Sequence, residues 1–300
     1  MSPDITTFIL TYNEEKHIER AVQNALKFSK EVFLIDSFST DNTLEIAASL
    51  GAKVFQNKWE NNHSKQVNWG LKNLPFQTEW IFRLDADEYL TDELITEIHQ
   101  KLPYIDQDIS GIVFERKMYF LNVLMEKGML QMNILRLFRN GHGVCEDRWM
   151  DEHIVLNQGK TILFENYFVD HNLNSLGWWI QKHNNYSIKE AIELIDLELN
   201  LFHKRDDALK LSEDAEEKRA KKKKYAKMPL FWRSFAYFTI RYFFKLGFTQ
   251  GKEGFLWHFL QGWWYRTLVD AKVYEIRKNC GQDKQKISAF LKENYNISLN

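Results

Sequence analysis

The sequence predicts an α/β fold, a mostly parallel sheet flanked by helices, followed by a C-terminal α-helical appendage. Three observations predict it. Short apolar, β-branched runs alternate with segments of helical period from residue 5 to residue 84. Clusters of Asp, Asn, Ser and Thr come directly after those runs. Many of the tryptophans and phenylalanines lie beyond residue 228, which divides the chain into two unlike parts.

The run at 5–10 reads as the first strand, and Thr11-Tyr12-Asn13-Glu14-Glu15 breaks it. Ile18, Ala21, Val22, Ala25 and Leu26 then recur at a spacing of three to four, so a helix over 15–28 buries one face. A second strand at 31–35 ends in Asp36-Ser37-Phe38-Ser39-Thr40-Asp41-Asn42-Thr43, and the helix that follows closes at Gly51. A third strand is expected at 53–55, a loop at 57–64, a helix at 65–72 and a fourth strand at 80–84. Consecutive βα units pair their strands in parallel, and such sheets bind ligands outside the carboxyl ends of the strands. The clusters at 11–14, 36–41 and 85–88 therefore belong on one edge. Residues 111–120 and 133–138 read as antiparallel edge strands, 176–201 as a long helix, and 204–227 as a charged linker or exposed helix.

With 300 residues, one catalytic domain plus a smaller appendage is expected. The 40 basic and 41 acidic side chains nearly cancel, which removes any global argument for a nucleic-acid partner. Cys145 and Cys280 stand far apart, so neither a disulfide framework nor a cysteine-built zinc site is expected, and a reducing cytoplasm fits. Residues 1–10 lack the basic and apolar pattern of a secretory signal. Arg233, Arg241 and Lys245 interrupt the most aromatic region, so no spanning helix is expected.

Asp85-Ala86-Asp87-Glu88 follows an apolar strand. Two carboxylates two residues apart share a hard cation and the diphosphate it neutralises, although acidic pairs at strand ends also cap helices or face solvent. In this motif, in Phe8-Ile9-Leu10-Thr11-Tyr12-Asn13-Glu14-Glu15 and in Asp36-Ser37-Phe38-Ser39-Thr40-Asp41-Asn42-Thr43, the chain resembles the family 2 glycosyltransferases over residues 4–175. The remainder resembles the branch of bacterial lipopolysaccharide-core and capsule enzymes that includes the lipopolysaccharide-core β-glucosyltransferases. The resemblance implies a GT-A fold over residues 1–175, with a helical extension and basic linker at 176–227 and an amphipathic helical region at 228–300. It also implies a divalent metal, Mg²⁺ or Mn²⁺, and inverting transfer of a hexose from a UDP-linked sugar to a lipopolysaccharide-core or lipid-linked saccharide.

Carried over by position, Thr11, Asn13 and Glu14 line the nucleotide pocket and Asp36 meets the base. Helix capping is the competing role for Asn13 and Glu14. Lys65 stands where the family places a cation facing the pyrophosphate, with Asn68 one turn on; a solvated surface lysine is the alternative. Asp85 is assigned to ribose and metal-bound water and Asp87 to the metal, with His171 as a further ligand or a structural histidine. Inversion needs a carboxylate base, and Trp149-Met150-Asp151-Glu152-His153 resembles the motif that supplies it. The order here is Asp-Glu where Glu-Asp is commoner, so Glu152 is placed ahead of Asp151 and the choice stays open. Partial burial beside Trp149 is expected to raise the pKa of whichever acts. Gly141-His142-Gly143 reads either as a loop against the donor or as a hairpin turn.

The aromatic segments 229–248 and 255–274, after the basic run Lys218-Arg219-Ala220-Lys221-Lys222-Lys223-Lys224, read as amphipathic helices with Arg233, Arg241 and Lys245 on one face. They suit either the anionic cytoplasmic face of a bacterial inner membrane or a helical hairpin packed on the catalytic domain or another subunit. Two rival functions are a nucleotidyltransferase, which lacks its Gly-rich phosphate loop here, and a non-catalytic membrane-associated scaffold.

Overall fold

The first strands are buried on both faces, and their alternate side chains enter two different cores. The computed structural model describes residues 3–146, 152–201, 220 and 224–299. Strands β1 (Ile5–Thr11), β2 (Glu31–Asp36), β3 (Lys53–Gln56) and β4 (Trp80–Asp85) pair in parallel in the order β3-β2-β1-β4. Ile5, Ile9, Val32, Leu34, Trp80, Phe82 and Leu84 share a core with the apolar sides of α1 (Ile18–Ala25), α2 (Thr43–Ser49) and α4 (Asp92–Lys101). Phe8, Phe33, Ile35 and Ile81 turn the other way, onto α3 (His63–Asn73). Because side chains alternate, Arg83 and Asp85 follow Ile81 onto the α3 side. Asn62 caps α3 by accepting from the Lys65 amide.

The sheet continues through β8 (Asn133–Arg139), β6 (Ile109–Phe120), β11 (Lys160–Asp170) and β5 (Glu88–Leu90), with β7 (Val123–Met125) paired to β6. Strands β3, β2, β1, β4, β6 and β11 run one way and β8, β5 and β7 the other, which makes the sheet mixed but mostly parallel. β9 (Gly143–Cys145) and β10 (Ile154–Leu156) form a separate antiparallel pair. Gly141 and His142 make the turn between β8 and β9, and the His142 ring is tied to Ser110 and Gln158. The glycine pair therefore sits in a turn, but one that passes the chain from the main sheet to the separate β9–β10 pair, not a hairpin between paired strands.

The C-terminal region is helical. In α5 (Leu176–Leu199), Ile188, Ala191, Ile192 and Ile195 pack against Val269, Val273 and Ile276 of α8 (Tyr265–Cys280), with Ile287 and Leu291 of α9 (Lys284–Tyr295) completing the cluster. Between them, α6 (Trp232–Thr239) runs on into a π-helical turn at Ile240–Phe244, and α7 (Gly251–Trp257) into another at His258–Trp264. This hairpin docks on the tip of β6 and β7, where Trp257 joins Phe120 and Met125. At Gly128, φ is +71° and an added Cβ would stand 2.4 Å from the His258 ring, so only glycine lets the loop close on the hairpin.

Here the expected face of exposed cations is corrected. Arg233 is buried on Asp270, 2.5 Å away. Arg241 is buried too, donating to the carbonyl of Gly128 and to Gln261. A guanidinium can satisfy several acceptors at once, so these two cations hold the hairpin together rather than face outward. The basic run lies outside the described residues apart from Ala220 and Lys224. Among the described residues no helix is long and apolar enough to cross a membrane.

Asp270 also accepts from the Phe231 amide, so Asp270→Ala strands a buried guanidinium and an amide together. Urea denaturation of this variant is expected to show a loss of about 3–5 kcal/mol; a loss below about 1 kcal/mol, the range of an exposed pair, would show that the pair does not hold this region.

Candidate functional site

The strand registers bring the polar clusters to one edge. Thr11 lies opposite Asp36, and Leu10 opposite Asp85. Asp36 is fully buried. It accepts from the Thr11 hydroxyl at 3.2 Å, from the amide and hydroxyl of Ser39 and from the Gln56 amide group. Four donors occupy a carboxylate's usual lone-pair sites, so Asp36 organises the 36–43 loop, and a base edge there would share its oxygens. Asn13, at φ 56°, accepts from the Thr40 amide, and the Glu14 amide donates to Thr43. Asn13 thus ties two loops together, while α1 has no side-chain cap. The Glu14 carboxylate lies 2.6 Å from His17 Nδ1, and the other nitrogen of that ring accepts from the Leu173 amide.

At the end of β4 two arginines take the Asp85 carboxylate. Arg83 donates to one oxygen at 2.8 Å and Arg136 to the other at 3.0 Å. Arg136, itself buried, also reaches Glu88, whose other oxygen accepts from the Asp85 amide. Burial works against the Asp85 charge, but the charges of Arg83 and Arg136 outweigh it and hold the carboxyl well below the usual carboxylate range. Glu88 goes the other way: burial dominates the pull of Arg136 and pushes its pKa up to about 7.

The same turn meets the end of β11. Asp170 pairs with Glu88 across the sheet, and the His171 amide donates to the Asp87 carbonyl. One Arg20 nitrogen donates to the carbonyls of both Asp87 and His171. The Asp87 carboxylate accepts from Asn172 at 2.9 Å. Burial and the charge of Asp87 raise the Asp170 pKa to about 6, while Arg116, 3.6 Å away, opposes the rise. The His171 ring stacks on Tyr119 and hydrogen-bonds Asn122 through Nε2. Hard carboxylate oxygens suit a divalent cation such as Mg²⁺ or Mn²⁺, and the repulsion that Asp170 feels from Asp87 and Asp85 is what such a cation relieves. Among the described residues, no three His, Cys, Asp or Glu side chains are gathered as a set of metal ligands. By donor chemistry the cluster fits the ion, and Asp87 and Asp170 are the carboxylates nearest to that role.

His63 connects this cluster to the acid predicted as a base. Its Nδ1 lies 2.8 Å from Glu152, and its Nε2 lies 3.2 Å from the Arg83 guanidinium and 3.9 Å from Asp85. Arg83 has only protons to offer, so His63 accepts from it through Nε2, while Nδ1 stands close to Glu152 without a hydrogen bond of regular geometry. The expected rise in the Glu152 pKa is therefore corrected: burial does push it up, but the close approach of His63 and the charge of Arg83 bring it below the usual glutamate value. Asp151 and Trp149 lie outside the described residues. His153 latches onto Glu146 across the β9–β10 pair.

On α3, Lys65 points to Glu60 at 2.9 Å, and Asn68 exchanges two hydrogen bonds with the Cys145 backbone. Residues two apart on a helix face nearly opposite ways, so when His63 meets the acids Lys65 cannot. His63, Arg83 and Arg136 were not singled out from the sequence. Arg83 did carry a signal, as a charge inside the apolar run Trp80-Ile81-Phe82-Arg83-Leu84.

Residues 6–147 match the sequence model of the family described as Glycosyl transferase family 2. A protein of Rickettsia typhi (strain ATCC VR-144 / Wilmington), described as an uncharacterized glycosyltransferase, is 36% identical over 104 residues, which are 35% of this chain and 35% of that protein. Another, of Rickettsia prowazekii (strain Madrid E), is 27% identical over 201 residues, 64% of this chain and 68% of its own length. The matched part of the chain thus spans about a third of the first relative's length. Glucosyl-3-phosphoglycerate synthase from Mycobacterium tuberculosis, solved with Mn²⁺, UDP and glucosyl-3-phosphoglycerate, is 17% identical with a TM-score of 0.32, over 38% of this chain and 44% of that one.

His63→Ala removes the neighbour that lowers Glu152 and leaves the burial that raises it, so the Glu152 pKa should move up. Carbon-detected NMR of labelled glutamate would read this. Because the native pKa is depressed, the stability Glu152 contributes is present above the ordinary glutamate value and fades as pH falls through the folded value. An unmoved Glu152 resonance in the variant would remove His63 from this role.

Proposed function

We propose, from the match of residues 6–147 to the model of Glycosyl transferase family 2, that the chain is an inverting glycosyltransferase that moves a hexose from a UDP-linked sugar to a saccharide acceptor. One observation carries this reading. The strand-end acid Asp85 and the candidate base Glu152 meet the two nitrogens of one imidazole, His63. Donor-holding and proton-accepting groups are thereby set in one cleft.

Glu152 takes the proton from the acceptor hydroxyl as that oxygen attacks the anomeric carbon opposite the departing diphosphate. Its lowered pKa keeps it ionised near neutrality, and His63 Nδ1 stands 2.8 Å from it. Arg83 holds His63 and Asp85 at once, coupling the two ends of the cleft. Thr11, Asn13, Glu14 and Asp36 are assigned to the nucleoside, and Asp87 with His171 or Asp170 to the cation. A divalent cation, when bound, supplies positive charge to the leaving nucleoside diphosphate. A role for Lys65 on the pyrophosphate requires its side chain to leave Glu60.

Purified full chain with Mn²⁺ and a panel of UDP-sugars is expected to release UDP, and chelator to stop the release. Glu152→Gln is expected to lower transfer by about 10²–10⁴-fold. Unchanged turnover in that variant would return the choice of base to Asp151, and no UDP release from any donor would overturn the reading.

The acceptor we propose is a lipopolysaccharide-core or other lipid-linked saccharide, reached at the cytoplasmic face of the inner membrane. Its support is the outer side of α6 and its neighbours, where Trp232 is 72% and Phe244 79% exposed beside Phe235, Phe243 and Leu246. Aromatic and aliphatic groups exposed after a basic run suit an anionic bilayer surface. Wild type is expected to float with phosphatidylglycerol vesicles and the doubly substituted Trp232→Glu, Phe244→Glu protein to stay behind; equal recovery would sink the membrane proposal.

A further inference from the structure

Helix α5 lies beyond the residues that match the family, yet one of its faces looks into the cleft. Lys182, Tyr186 and Lys189 recur at intervals of four and three, which places them on a single stripe. The helix is delivered there by its start: Asn172 touches Asp87, and Ser175 caps the first turn three residues later. At the near end of the stripe, the charges of Asp87, Asp170 and Glu14 reach the Lys182 ammonium. Tyr186 feels Asp87, Asp85 and Glu152, and Lys189 feels Glu152. The two lysines are separated by roughly 10 Å along the axis, so the stripe runs from the candidate cation site to the candidate base.

Its chemistry is that of a saccharide site. Lys182 Nζ sits between two rings, 4.7 Å from the centre of Trp178 and 5.8 Å from that of Tyr186. Trp178 is 38% exposed, so an aromatic face is open beside a cation. Both lysines are half-buried, and among the described residues neither makes a hydrogen bond or a salt bridge. Lys189 is the less compensated. Burial lowers its pKa and Glu152 alone opposes this, yet that carboxylate already answers to His63 and Arg83. Half-buried ammonium groups with unfilled donors favour an incoming anion.

We propose that the α5 stripe of Trp178, Lys182, Tyr186 and Lys189 is a wall of the acceptor site and selects a saccharide that carries an anionic substituent. The proposal rests on Glu152 as the base, because the hydroxyl that loses its proton there belongs to the acceptor, and Tyr186 and Lys189 lie within electrostatic reach of that carboxylate. The rings cover a sugar face, and the ammonium groups hold a phosphate or carboxylate.

Calorimetry on the full chain loaded with UDP and Mn²⁺ tests this with glucose 6-phosphate, glucuronate, glucose and inorganic phosphate as probes. At least one of the two anionic sugars should bind about tenfold or more tightly than glucose, and which of them does so identifies the substituent. Lys182→Met with Lys189→Met should erase the preference, and Lys189→Arg should keep it. Equal binding of all sugars, no binding of either anionic sugar, or a preference surviving the double substitution would each overturn the proposal. So would inorganic phosphate binding as tightly as glucose 6-phosphate, or loss of the sugar signal as UDP saturates, which would place the anion in the donor's phosphate site. The double variant must keep the wild-type unliganded melting profile; should it unfold, the single Lys189→Met variant decides on the same criterion. The experiment needs no turnover, so failure of the transferase reading, seen as absent UDP release, stays separate from failure of this one.

Discussion

One buried guanidinium sets the geometry on which the rest of the cleft depends. Arg136, on an antiparallel strand, reaches both Asp85 and Glu88 and so pins the two ends of the turn that carries Asp87. Glu88 in turn binds the Asp85 amide and lies in the short strand β5 that pairs with β11. Through that pairing the end of β11 arrives beside Asp87. A buried charge cluster of this kind adds little net stability, because removing the ions from water offsets their attraction. What it secures is position: with both carboxylates committed to one cation, the turn has a single arrangement.

A second consequence is that the acids are unequal. Asp85, between two arginines, stays ionised, whereas Glu88 and Asp170 are driven up by burial and neighbouring negative charge. Environments that push neighbouring carboxyls apart are typical of functional clefts. His63 extends the order outward, since the hydrogen bond it receives from Arg83 determines which nitrogen it presents to Glu152. Strand-end register, arginine, imidazole and Glu152 thus form one chain of contacts.

The aromatic region resolves into two sides for a simple reason. Rings that find partners turn inward: Tyr237 lies against Arg241, Phe238 stacks on Trp263 and Trp257 joins Phe120. Rings elsewhere on the same helices are left outside. Composition alone does not tell these two sets apart, because both consist of Phe, Trp and Tyr.

Much of the fold was legible in the sequence. Short apolar, β-branched runs mark β1 through β4 and a spacing of three to four marks helices between them, and parallel pairing then forces their polar ends to one edge, as Thr11, Asp36 and Asp85 demonstrate. β5 and α4 were missed: three residues after an acidic motif carry no periodicity, and α4 begins at once behind them. The partners of the acids were also out of reach. Arg136 lies 51 positions from Asp85 and His63 lies 89 from Glu152, and no local pattern encodes contacts at such separations. Sequence by itself determined the strand ends, the acids upon them and the amphipathic helices, since each follows from backbone period and side-chain polarity. Tertiary structure alone decided which cation meets which acid, which way each pKa moves, and which lysine looks into the cleft, because these depend on distances through space and on the water that burial removes.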